Sequence, residues 1–278
     1  MKDDRESTSQ GYTYISVDYS HQGNIATITL RRPEVHNAFN AQLITELITA
    51  FTELSEDEQL HAVILTGEGR SFSAGADLRD MQAAVHFSEE ENMNDALRLA
   101  DLLYTINTFP CAVVGRINGT AIGGGVGLVS VCDIVIAAES ARFAFSEAKL
   151  GIAPAVISPY VVHKIGESHA RVLFLTGERF SATRAREIGL VHAVVPLENL
   201  DEAVQKAVSE LLTSGPQAIR ACKTLALNVG SMDYQTARRY TAETIARLRV
   251  GTQGQEGLRA FLEKRTPNWI VPSTQGNQ

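Results

Sequence analysis

Three stretches carry the residues whose types and spacing could do chemistry. Ile122-Gly123-Gly124-Gly125-Val126-Gly127-Leu128 places three successive glycines between a β-rich run (residues 111–117) and an apolar helical run (residues 126–131). Glycine lets a ligand approach bare backbone and permits a tight strand-to-helix entry. The helix that follows would aim its free N–H groups, and the positive end of its dipole, at whatever lies over the glycines. Upstream stands Ser73-Ala74-Gly75-Ala76-Asp77-Leu78, and downstream Phe145-Ser146-Glu147. Together they read as a site built for a partial negative charge on oxygen. Glu147 taken alone is a surface carboxylate, the usual fate of glutamate.

The elements that must position these stretches follow from periodicity. Alternation at 14–19 and 25–30 around a turn at 21–24 predicts a β-hairpin, after a disordered lead-in over residues 1–11. From Asn40, a plausible N-cap, Leu43, Ile44, Leu47, Ile48, Phe51 and Leu54 recur on one helical face. Residues 62–67 have the profile of a buried parallel strand, followed by a long polar loop over 68–77. A helix over 93–106 comes next, with Glu89-Glu90-Glu91 before it, which would favour its N-terminal end but read first as a solvated charge run, and then strands at 111–117, 133–137 and 142–145. Pro154 and Pro159 punctuate a loop-rich segment ahead of a helix over 170–175. Strand and helix alternate without a solenoid-length repeat, so the expected class is α/β. From about residue 201 the chain becomes nearly continuous helix, at 203–212, 217–227, 234–248 and 255–264.

Bulk properties exclude several classes of function. The 278 residues are 44% hydrophobic and 21% charged, ordinary for a globular protein, with a net charge of −7. No global basic field exists to hold nucleic acid. No apolar run reaches transmembrane length and residues 1–10 lack an apolar core, so a cytoplasmic location is the expectation. Cys111, Cys132 and Cys222 lie far apart in apolar contexts, which suits buried reduced thiols, and the histidines show no ligand spacing, so no metal is expected.

In combination the motifs resemble the crotonase superfamily, the enoyl-CoA hydratase/isomerase family. Phe72-Ser73-Ala74-Gly75-Ala76-Asp77-Leu78 is similar to its F-x-A-G-A-D-L motif, and Asn118-Gly119-Thr120-Ala121-Ile122-Gly123-Gly124-Gly125 to its N-G-x-A-x-G-G-G motif. Cys132-Asp133-Ile134, Ser146-Glu147-x-x-Leu150-Gly151, Arg32-Pro33-x-x-x-Asn37-Ala38 and Phe261-x-Glu263-Lys264-Arg265 extend the likeness across nearly the whole chain. The resemblance implies a spiral of ββα units over residues 12–200, binding acyl-CoA, followed by a helical trimerisation region over 201–278, as a trimer or dimer of trimers. It implies no cofactor beyond the coenzyme A carried by the substrate.

The resemblance also implies roles. Two backbone N–H groups would hold the thioester oxygen, here matched to Ala74 and Gly124, and would stabilise an enolate. Val35, Ala76, Asp77 and Leu78 would lie along the CoA, and Phe261 and Lys264 would reach the CoA of a neighbouring subunit. Hydratases of the family commonly carry two glutamates. The first position is Gly127 here, and the second is Glu147, the expected catalytic acid/base. One carboxylate suits either a hydratase or an enoyl-CoA isomerase, with decarboxylase and thioesterase activity further back, and Gly127 also admits an acyl-CoA-binding scaffold without turnover. Residues 127–133 and 150–159 look similar to the bacterial branch of methylglutaconyl-CoA and carboxygeranoyl-CoA hydratases, which tips the expectation to hydration. A distal carboxylate in such a substrate would need a cation or several N–H donors in the acyl pocket, with Lys149 and Arg79 as candidates near the motifs and His163 behind them.

Overall fold

A computed structural model describes residues 11–20 and 24–270. The expected lead-in, apart from residue 11, and most of the first turn lie outside the described residues. The chain forms two compact units, with the division between Gln205 and Lys206.

The first unit is built on two sheets. β1 (Ile15–Ser20) and β2 (Ile25–Leu30) pair antiparallel, with Ile15 opposite Leu30. β3 (Ala62–Gly67), β5 (Ala112–Ile117), β7 (Ile134–Ala138) and β10 (Ala193–Val195) then continue the sheet in parallel, in the order β1-β2-β3-β5-β7-β10. Every residue of β3 is buried, as its unbroken apolar run requires. A second sheet has the order β4-β6-β8-β9, from β4 (Ser71–Ser73), β6 (Thr120–Ile122), β8 (Arg142–Ala144) and β9 (Arg179–Ser181). Three times in succession a strand of the first sheet is followed by a short strand of the second and then by helix, which makes the ββα spiral.

Local signals set most of the helices. Asn40 caps α1 (Ala41–Ser55) by accepting the Leu43 N–H at 2.9 Å, and Leu43, Leu47, Ala50, Phe51 and Leu54 bury its inner face. Burying a side chain such as Phe51, which meets Phe109 edge-on at 5.2 Å, contributes about 1.5–3 kcal/mol. The acidic run is exposed, as expected, and also forms the first turn of the helix: α3 spans Glu89–Asn107, and Ser88 with Glu91 forms a capping box at its start.

Several expectations are corrected. The polar loop over 68–77 contains β4, and α2 (Leu78–Ala84) follows it, capped by Asp77. The segment read as loop-rich is helical from its second proline: α5 runs Ser158–Thr176 with Pro159 in its first turn, where a missing N–H costs nothing, and with non-helical backbone only at Gly166. Strands β9 and β10 and helix α6 (Ala182–Glu187) are too short for periodicity to reveal. Cys111 and Cys132 are buried, but Cys222 is exposed on α8 (Pro216–Asn228), because this helix turns it to its outer side.

The second unit is helical, beginning within α7 (Leu200–Thr213) and continuing through α8, α9 (Tyr234–Val250) and α10 (Thr252–Leu262). Gln253 accepts the Gln217 N–H at 2.8 Å and so caps α8 from α10. Trp269 lies against Gly257 and donates to the Thr213 carbonyl at 3.2 Å.

Candidate active site

Two buried asparagines deliver the first wall of the site. Asn37 donates to the Glu68 and Ser71 carbonyls, each at 2.9 Å, and Asn118 donates to the Gly69 carbonyl at 2.9 Å. They clamp the turn between β3 and β4 and fix where the following backbone runs. Along that backbone the amides are committed one by one. Ala74 N–H donates to the His36 carbonyl at 2.9 Å, Gly75 N–H to Ser73 Oγ at 3.3 Å, and Asp77 N–H to the Phe39 carbonyl at 2.8 Å. Ala76 alone in this run has an N–H with no protein acceptor among the described residues.

This overturns the assignment of Ala74 as an oxyanion donor, since its N–H is already spent on His36. The amide left free in this run is that of Ala76, two residues along. Gly75 has φ 84°, and a Cβ there would stand 2.7 Å from the Ile122 carbonyl oxygen and 3.3 Å from the Gly124 nitrogen. Bare backbone at Gly75 thus packs directly on residues 122–124 and brings the two amide walls together.

The second wall begins at Gly123, with φ 52° and ψ −121°, a conformation that side chains disfavour. Its N–H donates to the Ala144 carbonyl at 2.9 Å, and its carbonyl accepts from Val126 at 2.8 Å and Gly127 at 3.1 Å. Helix α4 therefore starts at Gly124 and runs to Val131, two residues earlier than periodicity suggests. Gly124 N–H is one of the orphan donors of that helix start, and it has no protein acceptor among the described residues.

Glu147 completes the arrangement from the 3-10 turn Ser146–Leu150. Its carboxylate lies over Gly123, with Oε1 3.0 Å from where a Cβ would stand. Oε2 is buried with no hydrogen-bond partner among the described residues. Burial pushes the carboxyl above its ordinary value of 4.5, and its own backbone N–H offsets this only in part. A half-buried acid with a raised pKa in a cleft is the signature of a proton-transfer group.

Ala74, Ala76, Gly124 and Glu147 all line one cavity of ≈ 390 Å³, with Phe39, Leu99 and Ile157 among its apolar walls. The place of a second glutamate is closed. A Cβ on Gly127 would lie 2.5 Å from Ile157 Cγ2 and 3.6 Å from Leu103 Cδ1. Sequence reasoning missed Ile157, which lies thirty positions away, and only its apolar character hinted at a wall.

Other expected site residues fall elsewhere. Val35 ends the 3-10 turn Pro33–Val35, and Leu78 is 75% exposed at the start of α2. Asp77 is buried, and its side chain pairs with Arg32 at 2.8 Å while capping the Arg79 N–H. Burial alone would raise its pKa, but the bonds from Arg79 N–H and the Arg32 guanidinium outweigh that and hold it below 3.8. Phe261, in the second unit, is 81% exposed on α10, and Lys264 follows that helix with φ 55°. Lys149, Arg79 and His163 do not line the cavity. The Lys149 methylenes pack instead over Gly177. No helix among the described residues is long and apolar enough to cross a membrane, and no group of metal-ligating side chains among them could hold an ion.

Known proteins resemble this chain along most of its length. Residues 20–271 match the family profile described as enoyl-CoA hydratase/isomerase. The enoyl-CoA hydratase AKT6-1 of Alternaria alternata is 34% identical over 267 residues, covering 94% of this chain and 84% of the relative. The crystal structure of an enoyl-CoA hydratase from Shewanella pealeana superposes with a TM-score of 0.89 at 40% identity, covering 94% of this chain and 97% of the other. A second, from Mycobacterium smegmatis, gives 0.88 at 32%, covering 93% and 100%. With a family match over most of its length, and two unspent amides lining one cavity with a carboxylate whose Oε2 is buried and unpartnered, this protein is an enzyme of the enoyl-CoA hydratase/isomerase family.

Proposed function

We propose that the enzyme adds water across the double bond of a 2-enoyl-CoA thioester. The thioester oxygen sits between the N–H groups of Ala76 and Gly124. Glu147, as carboxylate, takes a proton from a water while the water oxygen bonds to C3. The C2=C3 electron pair moves toward the thioester oxygen, forming an enolate, and the protonated Glu147 then gives that proton to C2. Each amide donor is worth roughly 3 kcal/mol to the barrier by comparison with similar holes. The observation that carries the reading is the buried Oε2 of Glu147, unpartnered in the same cavity as the two free amides. On the same reading the CoA runs past Val35, Ala76, Asp77 and Leu78, while Phe261 and Lys264 serve a neighbouring copy in a trimer or dimer of trimers.

Ile157 in the place of a second carboxylate favours one alternative, an isomerase in which Glu147 carries a proton between C2 and C4. Product mass separates the two. Incubation with a panel of 2-enoyl-CoAs should give a product heavier by one water, with loss of the conjugated thioester absorbance, and Glu147→Gln should abolish it. A product of unchanged mass with a moved double bond would establish isomerisation instead. Turnover that survives Glu147→Gln would overturn the assignment of the acid/base, and acyl-CoA binding without turnover would favour the scaffold.

A further inference from the structure

The electrostatics of the cavity wall speak to which acyl groups it admits. Its lining includes Asp80 on α2, Asp95 on α3 and Glu147, and none of its described lining residues is Lys, Arg or His. The remaining wall is apolar or neutral, with Met81, Ala84, Ala96 and Leu99 beside the two aspartates. Asp95 has a local counter-ion, since Arg98 donates to Oδ1 at 2.7 Å, and that pair is half-exposed. Asp80 has no ion pair among the described residues. Burial, and the negative charges of Asp77 and Asp95, raise the Asp80 carboxyl above 3.8, while the Ala41 amide and Arg32 pull it the other way. Asp80 therefore stands in a field that is already negative.

Resting on the reading of this cavity as the acyl site, we propose that Asp80 and Asp95 make it select uncharged acyl chains and reject those ending in a carboxylate. The physical reason is direct. A further negative charge brought among these carboxylates meets repulsion that only Arg98, beside Asp95, offsets, and because both aspartates are exposed that repulsion is screened by salt. The expectation drawn from sequence, that the substrate carries a distal carboxylate, named Lys149, Arg79 and His163 as candidate cations, and none of them lines this wall. The preferred substrate class is thus a neutral aliphatic enoyl-CoA, its tail packed on Met81, Ala84, Ala96 and Leu99.

Two saturated probes test this without turnover: hexanoyl-CoA, and the CoA monothioester of adipic acid, which has the same number of carbons and one added carboxylate. Both carry the same CoA charges, so their affinity ratio isolates the distal group. Calorimetric titration of the wild-type enzyme should favour hexanoyl-CoA by about tenfold at low salt, and the ratio should fall as ionic strength rises. Asp80→Asn and the double variant Asp80→Asn/Asp95→Asn should bring the ratio progressively toward one, chiefly by improving binding of the adipic thioester. Equal or tighter binding of the adipic thioester by the wild type would overturn the proposal, as would a ratio that both variants leave unchanged. Absence of binding by either probe would overturn it together with the acyl-site reading. Discrimination between the probes by an enzyme that turns over no enoyl-CoA would uphold the selection and remove only the proposed hydration.

Discussion

Restoring the second glutamate should damage this protein, because Ile157 already holds its place. Gly127 is buried inside α4, and an added Cβ would stand 2.5 Å from Ile157 Cγ2 and 3.3 Å from Ile157 Cβ, against an optimum of roughly 3.5–4.0 Å for carbon contacts. Ile157 is 2% exposed, so packed neighbours restrict its movement on every side except where it borders the cavity. Gly127→Ala gains about 1 kcal/mol of helix propensity. Overpacking by a methyl group in a filled core costs about 1–3 kcal/mol, so the net is a loss of up to about 2 kcal/mol. In a chain of this size that lowers Tm by about 2–4 °C per kcal/mol, read by thermal denaturation at fixed protein concentration. Ile157→Ala alone leaves a cavity costing about 2–5 kcal/mol. In the double variant Gly127→Ala/Ile157→Ala the added methyl enters that cavity, and the loss should fall short of the sum of the singles by about 1–3 kcal/mol. Gly127→Glu should be worse than Gly127→Ala, since it also buries a carboxylate without a partner. A Gly127→Ala enzyme more stable than wild type, or strict additivity in the double variant, would refute the reasoning.

Three further outcomes follow from the site. Because the native state holds the Glu147 proton more tightly than the unfolded chain, its contribution to stability is complete below about pH 4.5 and is lost as pH rises through the raised native value. The Tm of Glu147→Gln should therefore gain on the wild type between about pH 4 and about pH 8, and a constant difference across that range would contradict the burial argument. Gly123→Ala combines a backbone strain of about 1–3 kcal/mol with a Cβ 3.0 Å from Glu147 Oε1, so kcat should fall about tenfold or more with a smaller change in KM, and unchanged kcat would show that the carboxylate is not held there. Asp77→Asn should cost about 3–5 kcal/mol by leaving Arg32 buried without its counter-charge. The wild-type contribution of that pair is present above 3.8 and lost as pH falls through the depressed native value of Asp77, so the two proteins should converge in Tm on acidification.

The sequence alone determined what depends on near neighbours. Alternation in residues 15–20 and 25–30, the Asn40 cap with its apolar face, and the unbroken apolar run at 62–67 each specify an element through contacts that recur every two to four residues. The glycine run before an apolar helix announced an amide wall, and the motif spacing placed Glu147 with it. Tertiary structure alone decided which amide is free: His36, far back in the chain, consumes the Ala74 N–H and leaves that of Ala76 unspent. Gly127 looked like a missing carboxylate until Ile157 appeared against it as a filled wall. The cationic acyl pocket failed likewise, because Lys149 lies next to the motif in sequence but turns over Gly177, while Asp80 and Asp95 come to the cavity from two other helices. Hydrogen-bond partners and void space are set by segments tens of residues apart, and no local pattern encodes which of them will meet.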